Sequence, residues 1–301
     1  MPPIILENQY LKTSIDPDRG TDLLAFSTRM DDTWLSLMPD VEDAQTELDC
    51  TSFLMVPYSN RIEHGRFTFA GRTYQLEDGA NHSIHGDVRK RPWSVEEHIA
   101  TRLCCTFRST DHEAVNWPWS FEARAEYSLE KAEFTSHLTL WNRGDTPMPA
   151  GFGWHPYFNR RLTASGEPVH LRFKVAGAYP DANGNRIPSG PLQPLEPHQD
   201  FTVEKPLDPD NFLDTCFHGY DGNGHIAWPR SGVELFFGCS APCSHLVVYN
   251  PEAPHFAIEP VTNANNGVNL HAQGDSTSGV VELVPGEQLT ARFSLRVDFI
   301  D

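Results

Sequence analysis

No apolar run in this chain approaches the ~20 residues that a membrane-spanning helix needs. A helical membrane protein is therefore excluded. The start, Met1-Pro2-Pro3-Ile4-Ile5-Leu6-Glu7-Asn8, lacks a basic segment followed by a long apolar one. No secretory leader is expected, and the expected location is the cytoplasm. Positive charge is scarce: 23 Lys and Arg stand against 41 Asp and Glu, a formal charge of -18. Such a surface repels nucleic acid and anionic membranes, so neither is an expected partner. A neutral small molecule suits it, and an anionic one would need a local basic patch. Six cysteines in 301 residues do not make a disulfide framework. Cys239 and Cys243 lack the second pair that a zinc site would require, so buried reduced thiols are expected. The chain has no Gly-Lys-Ser/Thr phosphate loop, no dinucleotide fingerprint and no Gly-x-Ser-x-Gly elbow. Nothing demands a cofactor or a metal. A long amphipathic helix is missing too.

What is present is alternation with a period of two. In Phe121–Glu130, positions Phe121, Ala123, Ala125, Tyr127 and Leu129 share one face, and Glu122, Arg124, Glu126, Ser128 and Glu130 the other. That pattern predicts a strand with one wet face. Leu289–Phe299 repeats it, and Phe134–Trp141 and His245–Tyr249 read as further strands. Arg66–Leu76 reads as a hairpin turning at Ala70-Gly71. The 24 prolines and 21 glycines punctuate strands and loops throughout. Gly177–Pro209 carries seven prolines. It is either a linker or a long irregular excursion from one sheet, and alternating strands on both sides favour the excursion. The expected fold class is all-β: a large antiparallel β-sandwich with little helix, forming one domain over residues 1–301.

Several polar residues stand in apolar company. His155 lies in Gly151-Phe-Gly-Trp-His-Pro-Tyr-Phe-Asn159, where it is either a positioned proton donor or an ordinary half-buried histidine. Arg61, in Asn60-Arg61-Ile62, either points into a site or ties a loop to carbonyls. His82 and His85 lie three apart in Asn81–Gly86: on a strand they would face opposite sides, and in a loop both could turn inward. Asp214, in Phe212–Phe217, either faces a ligand or caps a turn. Glu259 ends the short apolar run His255–Ile258. It is either a general base held by a rigid strand or a partner for a cation such as Arg61. Together these offer one carboxylate base, one imidazole acid and several binders of hydroxyl groups.

The ordered set resembles the aldose 1-epimerases, the galactose mutarotases, nearly end to end. It includes Pro17–Phe26, Asn60-Arg61-Ile62, Gly65–Tyr74, His82-Ser-Ile-His85-Gly86, His155–Asn159, Leu213-Asp214 and Ile258-Glu259-Pro260. The variant most like it is a bacterial aldose 1-epimerase-like subgroup, with a Trp after His-Gly (here Trp93) and Asn-rich sequence after Glu-Pro-x-Thr. Asp87 replaces a second glycine of the best-studied members, and Pro260 has no counterpart in them. The resemblance implies a many-stranded antiparallel super-sandwich with its cleft across one sheet. It implies Glu259 as the base at the anomeric hydroxyl and His155 as the acid at the ring oxygen, facing each other across the width of one sugar ring. Arg61, His85 and Asp214 would bind sugar oxygens, with His82, Asn60 and Trp93 as further cleft-lining positions and Trp93 stacking on the sugar. A small-molecule sugar is the expected partner, no cofactor is implied, and a homodimer is allowed.

Alternatives remain at this point. One is a mutarotase for a 6-phosphorylated or sulfonated hexose, using Arg66, Arg72 and Arg89-Lys90-Arg91, a cluster that otherwise reads as a solvated loop. Others are a non-catalytic carbohydrate-binding protein, a glycosidase using Asp214 and Glu259, and a metal site of His82, His85, His155 and Glu259.

Overall fold

The computed structural model describes residues 1–43, 46–163 and 168–300. Two large antiparallel sheets form its body. The nine-stranded sheet has Gln288–Phe299 near its centre, hydrogen-bonded to Glu133–Asn142 on one side and Val233–Cys239 on the other. Phe121–Glu130 pairs next, in register from Phe121↔Asn142 to Glu130↔Glu133. The alternation seen in the sequence is realised here: odd positions from Phe121 to Leu129 are buried, and the even ones face water or its margin. Each buried Leu, Phe or Val removed from water contributes roughly 1.5–3 kcal/mol before entropy is counted.

The seven-stranded sheet runs Gly177–Ala178, Leu213–His218, His245–Asn250, His255–Val261, Gly153–Trp154 and Leu54–Met55, with Tyr157–Asn159 also paired to His255–Val261. One face packs on the nine-stranded sheet to make the main core. Trp154 crosses between them, its ring 5.6 Å from Phe293 and its indole N–H donating to Ser136 Oγ at 2.8 Å. A four-stranded sheet, Ile4 to Ser36, adds Phe26 to this core.

The other face of the seven-stranded sheet is covered as well. A second cluster containing Leu24, Cys50, Phe53, Met55, Cys216 and Val247 lies there. Strands buried on both sides show no alternation, and His255–Val261 is buried at six of seven positions. The register Val247↔Glu259 and Asp214↔Tyr249 puts Glu259, Val247, Tyr249, Cys216 and Asp214 on this second face.

The Ala70-Gly71 hairpin forms as expected, with both residues at positive φ. The proline-rich stretch is anchored to a sheet at both ends: Gly177–Ala178 pairs with Phe217–His218, and Lys205–Pro206 with His170–Leu171. It is an excursion that folds back over the second face. Among the described residues, Gly267–Ala272 is the one α-helix, and no helix is long and apolar enough to cross a membrane.

Candidate active site

His155 sits in the break between Gly153–Trp154 and Tyr157–Asn159. Strand alternation sends Trp154 into the main core and His155 to the opposite face. Gly153 is needed here, because a Cβ would come 2.4 Å from Val261 Cγ1 on the neighbouring strand. The backbone N–H of His155 donates to Phe53 O at 3.0 Å, and its ring stacks on Phe53 at 4.4 Å and 23°. Tyr157 and His85 close two further sides at 4.7 and 5.2 Å.

Glu259 lies against this imidazole, with His155 Nε2 3.2 Å from Glu259 Oε1. Both residues are almost sealed from water, at 5% and 2% exposure. Neither Glu259 Oε2 nor His155 Nδ1 has a hydrogen-bond partner within the protein. Buried polar atoms are rarely left so, and such a site invites a polar ligand. Burial pushes the Glu259 carboxyl well above its ordinary range; Asp214 raises it further and Arg61 opposes. Burial pushes His155 down to about 3, with Arg89 and Arg61 adding to the effect. An isolated ion pair at this distance would shift both groups the other way. Desolvation is the stronger influence in so dry a place, so at rest the pair carries one proton and no net charge.

The expectation that one sugar ring separates the two is not met: they touch. The pairings Gly153↔Val261 and Tyr157↔Ala257 set His155 opposite Glu259 on neighbouring strands, and side chains so placed on one face meet.

Other elements bring the remaining groups. Asn60 adopts positive φ, accepts the His85 N–H at 2.7 Å through its carbonyl, and keeps a buried amide nitrogen without a partner. Arg61 follows, and its charge is felt by Glu259. Burial lowers the Arg61 guanidinium, while Asp214 and Glu259 raise it. His85 also has positive φ and is followed by Gly86, where a Cβ would meet Val56 O at 2.1 Å. That close approach turns the His85 ring towards Phe53 and His155, at 5.0 and 5.2 Å. Burial pushes His85 well below its ordinary value, with His155 second, so it is a neutral hydrogen-bonding group.

Two expected positions lie apart. His82 is at the rim: its Nδ1 accepts the His64 N–H at 3.0 Å, and its ring lies 5.0 Å from that of His64. Burial, His64 and Arg61, in that order, lower its pKa. Trp93 is not in the cleft at all. It is 4% exposed, packed in the main core 5.7 Å from Phe107, and offers no face to a sugar. Its apolar bulk is worth more there than at a wet rim.

One residue that the sequence did not single out joins the site, held by the Asn-rich stretch that it did. Arg186, from the proline-rich excursion, donates to Asp214 Oδ2 at 2.5 Å and to Asp181 Oδ2 at 3.2 Å. Its carbonyl accepts from Asn265 Nδ2 at 2.9 Å. Asn266 N–H donates to Arg61 O at 2.7 Å, and Asn263 holds Ser59. The Asn-rich stretch therefore clamps the Arg61 and Arg186 loops to the end of the Glu259 strand. The Asn-rich sequence after Glu-Pro-x-Thr was the available signal for this clamp. A depression of about 410 Å³ adjoins the site on the His85 side, lined also by Asp78, Asp87, Arg89, Lys90 and Arg91. Among the described residues, no three His, Cys, Asp or Glu side chains are grouped as metal ligands.

The model of the aldose 1-epimerase family matches residues 4–296. The chain belongs to the aldose 1-epimerase family. Among curated relatives of this family member, the uncharacterized Escherichia coli K12 protein YphB is 27% identical over 84% of this chain and 85% of its own. Mouse galactose mutarotase is 28% identical over 55% of this chain and 48% of its own. Among solved structures, a putative aldose 1-epimerase from E. coli K12 superposes with TM-score 0.83 at 23% identity, covering 99% of both chains. A galactose mutarotase-like protein from Clostridium acetobutylicum gives 0.86 at 17%, covering 99% of this chain and 95% of that one. At these identities the structural likenesses establish the antiparallel super-sandwich fold of this aldose 1-epimerase family member.

Proposed function

We propose that this protein is a mutarotase that interconverts the α and β anomers of a neutral hexose, with Glu259 as base and His155 as acid. The observation that carries the reading is the sealed contact between these two side chains, bordered by Arg61, His85 and Asp214. Glu259, as carboxylate, takes the proton of the anomeric hydroxyl. The electron pair of that O–H bond forms the C1 carbonyl, and the C1–O5 bond breaks. Its electron pair goes to O5, which receives the proton of the His155 imidazolium. Rotation about C1–C2 presents the other carbonyl face, and the reverse transfers close the ring as the other anomer. The scheme needs only proton transfers, reversible cleavage of C1–O5 and a bond rotation, so no cofactor enters it.

The pair starts with one proton. On Glu259 it leaves two neutral groups; on His155 it makes the carboxylate and imidazolium that the reaction uses. Arg61, on the carboxylate side, favours the charge-separated form. Arg61, His85 and Asp214 would hold the sugar hydroxyls, with Asn60 beneath them and His82 at the rim.

A neutral sugar is favoured over an anionic one because both arginines of the basic cluster are already paired. Arg89 lies 2.9 Å from Asp49 Oδ1, and Arg91 2.7 Å from Asp87 Oδ2. Arg66 and Arg72 stand on the exposed hairpin. A glycosidase is disfavoured because Asp214 is tied to Arg186. The test is exchange NMR of anomer interconversion on neutral, phosphorylated and sulfonated hexoses. Faster exchange of a neutral hexose is expected; acceleration of none, or of anionic sugars alone, would sink this reading.

A further inference from the structure

The Arg89-Lys90-Arg91 cluster has a component that the reaction scheme does not use. Arg89 leaves the loop that follows His85 and lays its guanidinium carbon 3.8 Å from the centre of the Phe53 ring. His155 is stacked 4.4 Å from the same centre. Two groups cannot share one ring face at those distances, so Phe53 is sandwiched: cation on one side, imidazole on the other. A guanidinium over an aromatic face is attracted by the ring quadrupole, more so where water is excluded. Arg89 is itself held. Its NH2 nitrogen lies 2.9 Å from Asp49 Oδ1 and 3.6 Å from Cys50 Sγ. Arg19 braces the same carboxylate at 2.9 Å through Asp49 Oδ2.

We propose that Arg89 is a positioning residue for His155: it clamps Phe53 against the imidazole and sets a fixed positive charge behind it, opposing Arg61 across the Glu259–His155 pair. This goes beyond the mutarotase reading but rests on it for its kinetic consequence. The charged groups around the imidazole are Glu259, Arg61 and Arg89, with His85 and Tyr157 as titratable neighbours. Those around the guanidinium are Asp49, Arg19, Cys50 and the buried Asp22, which is charge-coupled to it. After burial, Arg89 is the largest influence that lowers His155. The consequence is chemical. A cation beside the imidazole makes its protonated form rarer and a stronger acid. It also keeps the resting proton on Glu259 until a hydroxyl arrives. With Arg61 on one flank and Arg89 on the other, neither tautomer of the pair is trapped.

The test compares Arg89→Met, which removes the charge, with Arg89→Lys, which keeps it but loses the planar stack. Two measurements are made on the full chain. The first is the pH profile of kcat/KM for anomer exchange. The singly protonated pair is the active form, so the profile is a bell, and removing a nearby positive charge makes both of its protons harder to lose. In Arg89→Met both limbs should move to higher pH by about one unit, the acid limb more. Arg89→Lys should leave the bell in place and lower kcat. The second is the titration of labelled His155 by NMR, which needs no turnover. It should rise in Arg89→Met and stay in Arg89→Lys. Unmoved titration and an unmoved bell in a folded Arg89→Met would overturn the proposal, as would equal displacement in both variants. A moved titration in a protein that exchanges no hexose would leave this inference standing and remove the mutarotase reading instead.

Discussion

The two large sheets solve opposite problems. The nine-stranded sheet keeps one face wet, and its strands alternate between buried apolar and exposed charged residues, as in Phe121–Glu130 and Gln288–Phe299. Its pairs are long and regular, with ten residues of unbroken register between Phe121–Glu130 and Glu133–Asn142. The seven-stranded sheet is covered on both faces and made of short pieces; its site strand, His255–Val261, carries a buried carboxylate. Around it, Asn60, His82, His85, Arg186 and Asn266 take positive φ. Such residues each cost free energy and persist only when their surroundings over-determine them. One sheet thus supplies cohesion, and the other uses it to hold desolvated polar groups in contact.

This division can be broken experimentally. The largest effect should come from Glu259→Gln or His155→Ala, each expected to lower kcat by about 10³-fold in the way that loss of a general acid or base does. Melting temperature is the control: it should change little for Glu259→Gln, since an amide replaces a carboxyl that is already neutral. Retention of full activity in either variant would remove the assignment of roles.

Leu138→Ala sharpens the comparison from the other side. Leu138 is fully buried, opposite Ala125 and Ala291 on the flanking strands. Its truncation should cost about 3 kcal/mol of stability, measured by denaturant unfolding, and leave the activity per folded molecule near wild type. A large loss of activity at full folding would mean that the two sheets are not separable in this way.

Asp22 probes the site side through pH. Both its carboxylate oxygens are buried, and burial raises its pKa to about 8, against the charge of Arg89 and the thiol of Cys50. Its folded pKa lies above its unfolded one. The stability linked to its proton is therefore complete below about pH 4 and is lost as pH climbs through about 8. Asp22→Asn should be more stable than wild type near pH 8, by about 2 kcal/mol or more, and the two proteins should converge near pH 4. Parallel melting curves across that range would show that Asp22 is ionised in the folded state.

The smallest effect belongs to the wet face. Arg292 and Glu133 lie 2.6 Å apart, Arg292 exposed and Glu133 half-buried. Glu133→Gln should change stability by no more than about 0.5 kcal/mol, and less in high salt. A larger loss would imply that the outer face carries more than solubility.

These contrasts also separate what could be read in one dimension. Strands with a wet face announce themselves because water on one side forces a period of two, so Phe121–Glu130 and the terminal strand were legible, as was the Ala70-Gly71 turn. His155, Glu259, Arg61, His85 and Asp214 stood out as polar residues in apolar runs, because a buried polar group needs a reason. Trp93 misled: an aromatic beside a motif looks the same whether it faces a cleft or a core. Arg186 was hidden inside a proline-rich stretch whose pattern predicts no structure.

By itself, then, the sequence determined the all-β class, the acidic surface and the set of groups available for proton transfer, since these follow from composition and local periodicity. Only the tertiary structure decided that His155 and Glu259 touch, that Trp93 belongs to the core, that Arg186 closes on Asp214 and that Arg89 stands behind Phe53. Those outcomes depend on which distant segments exclude water from one another. Desolvation, which sets the protonation of the Glu259–His155 pair, is a property of the packed molecule and of no local stretch within it.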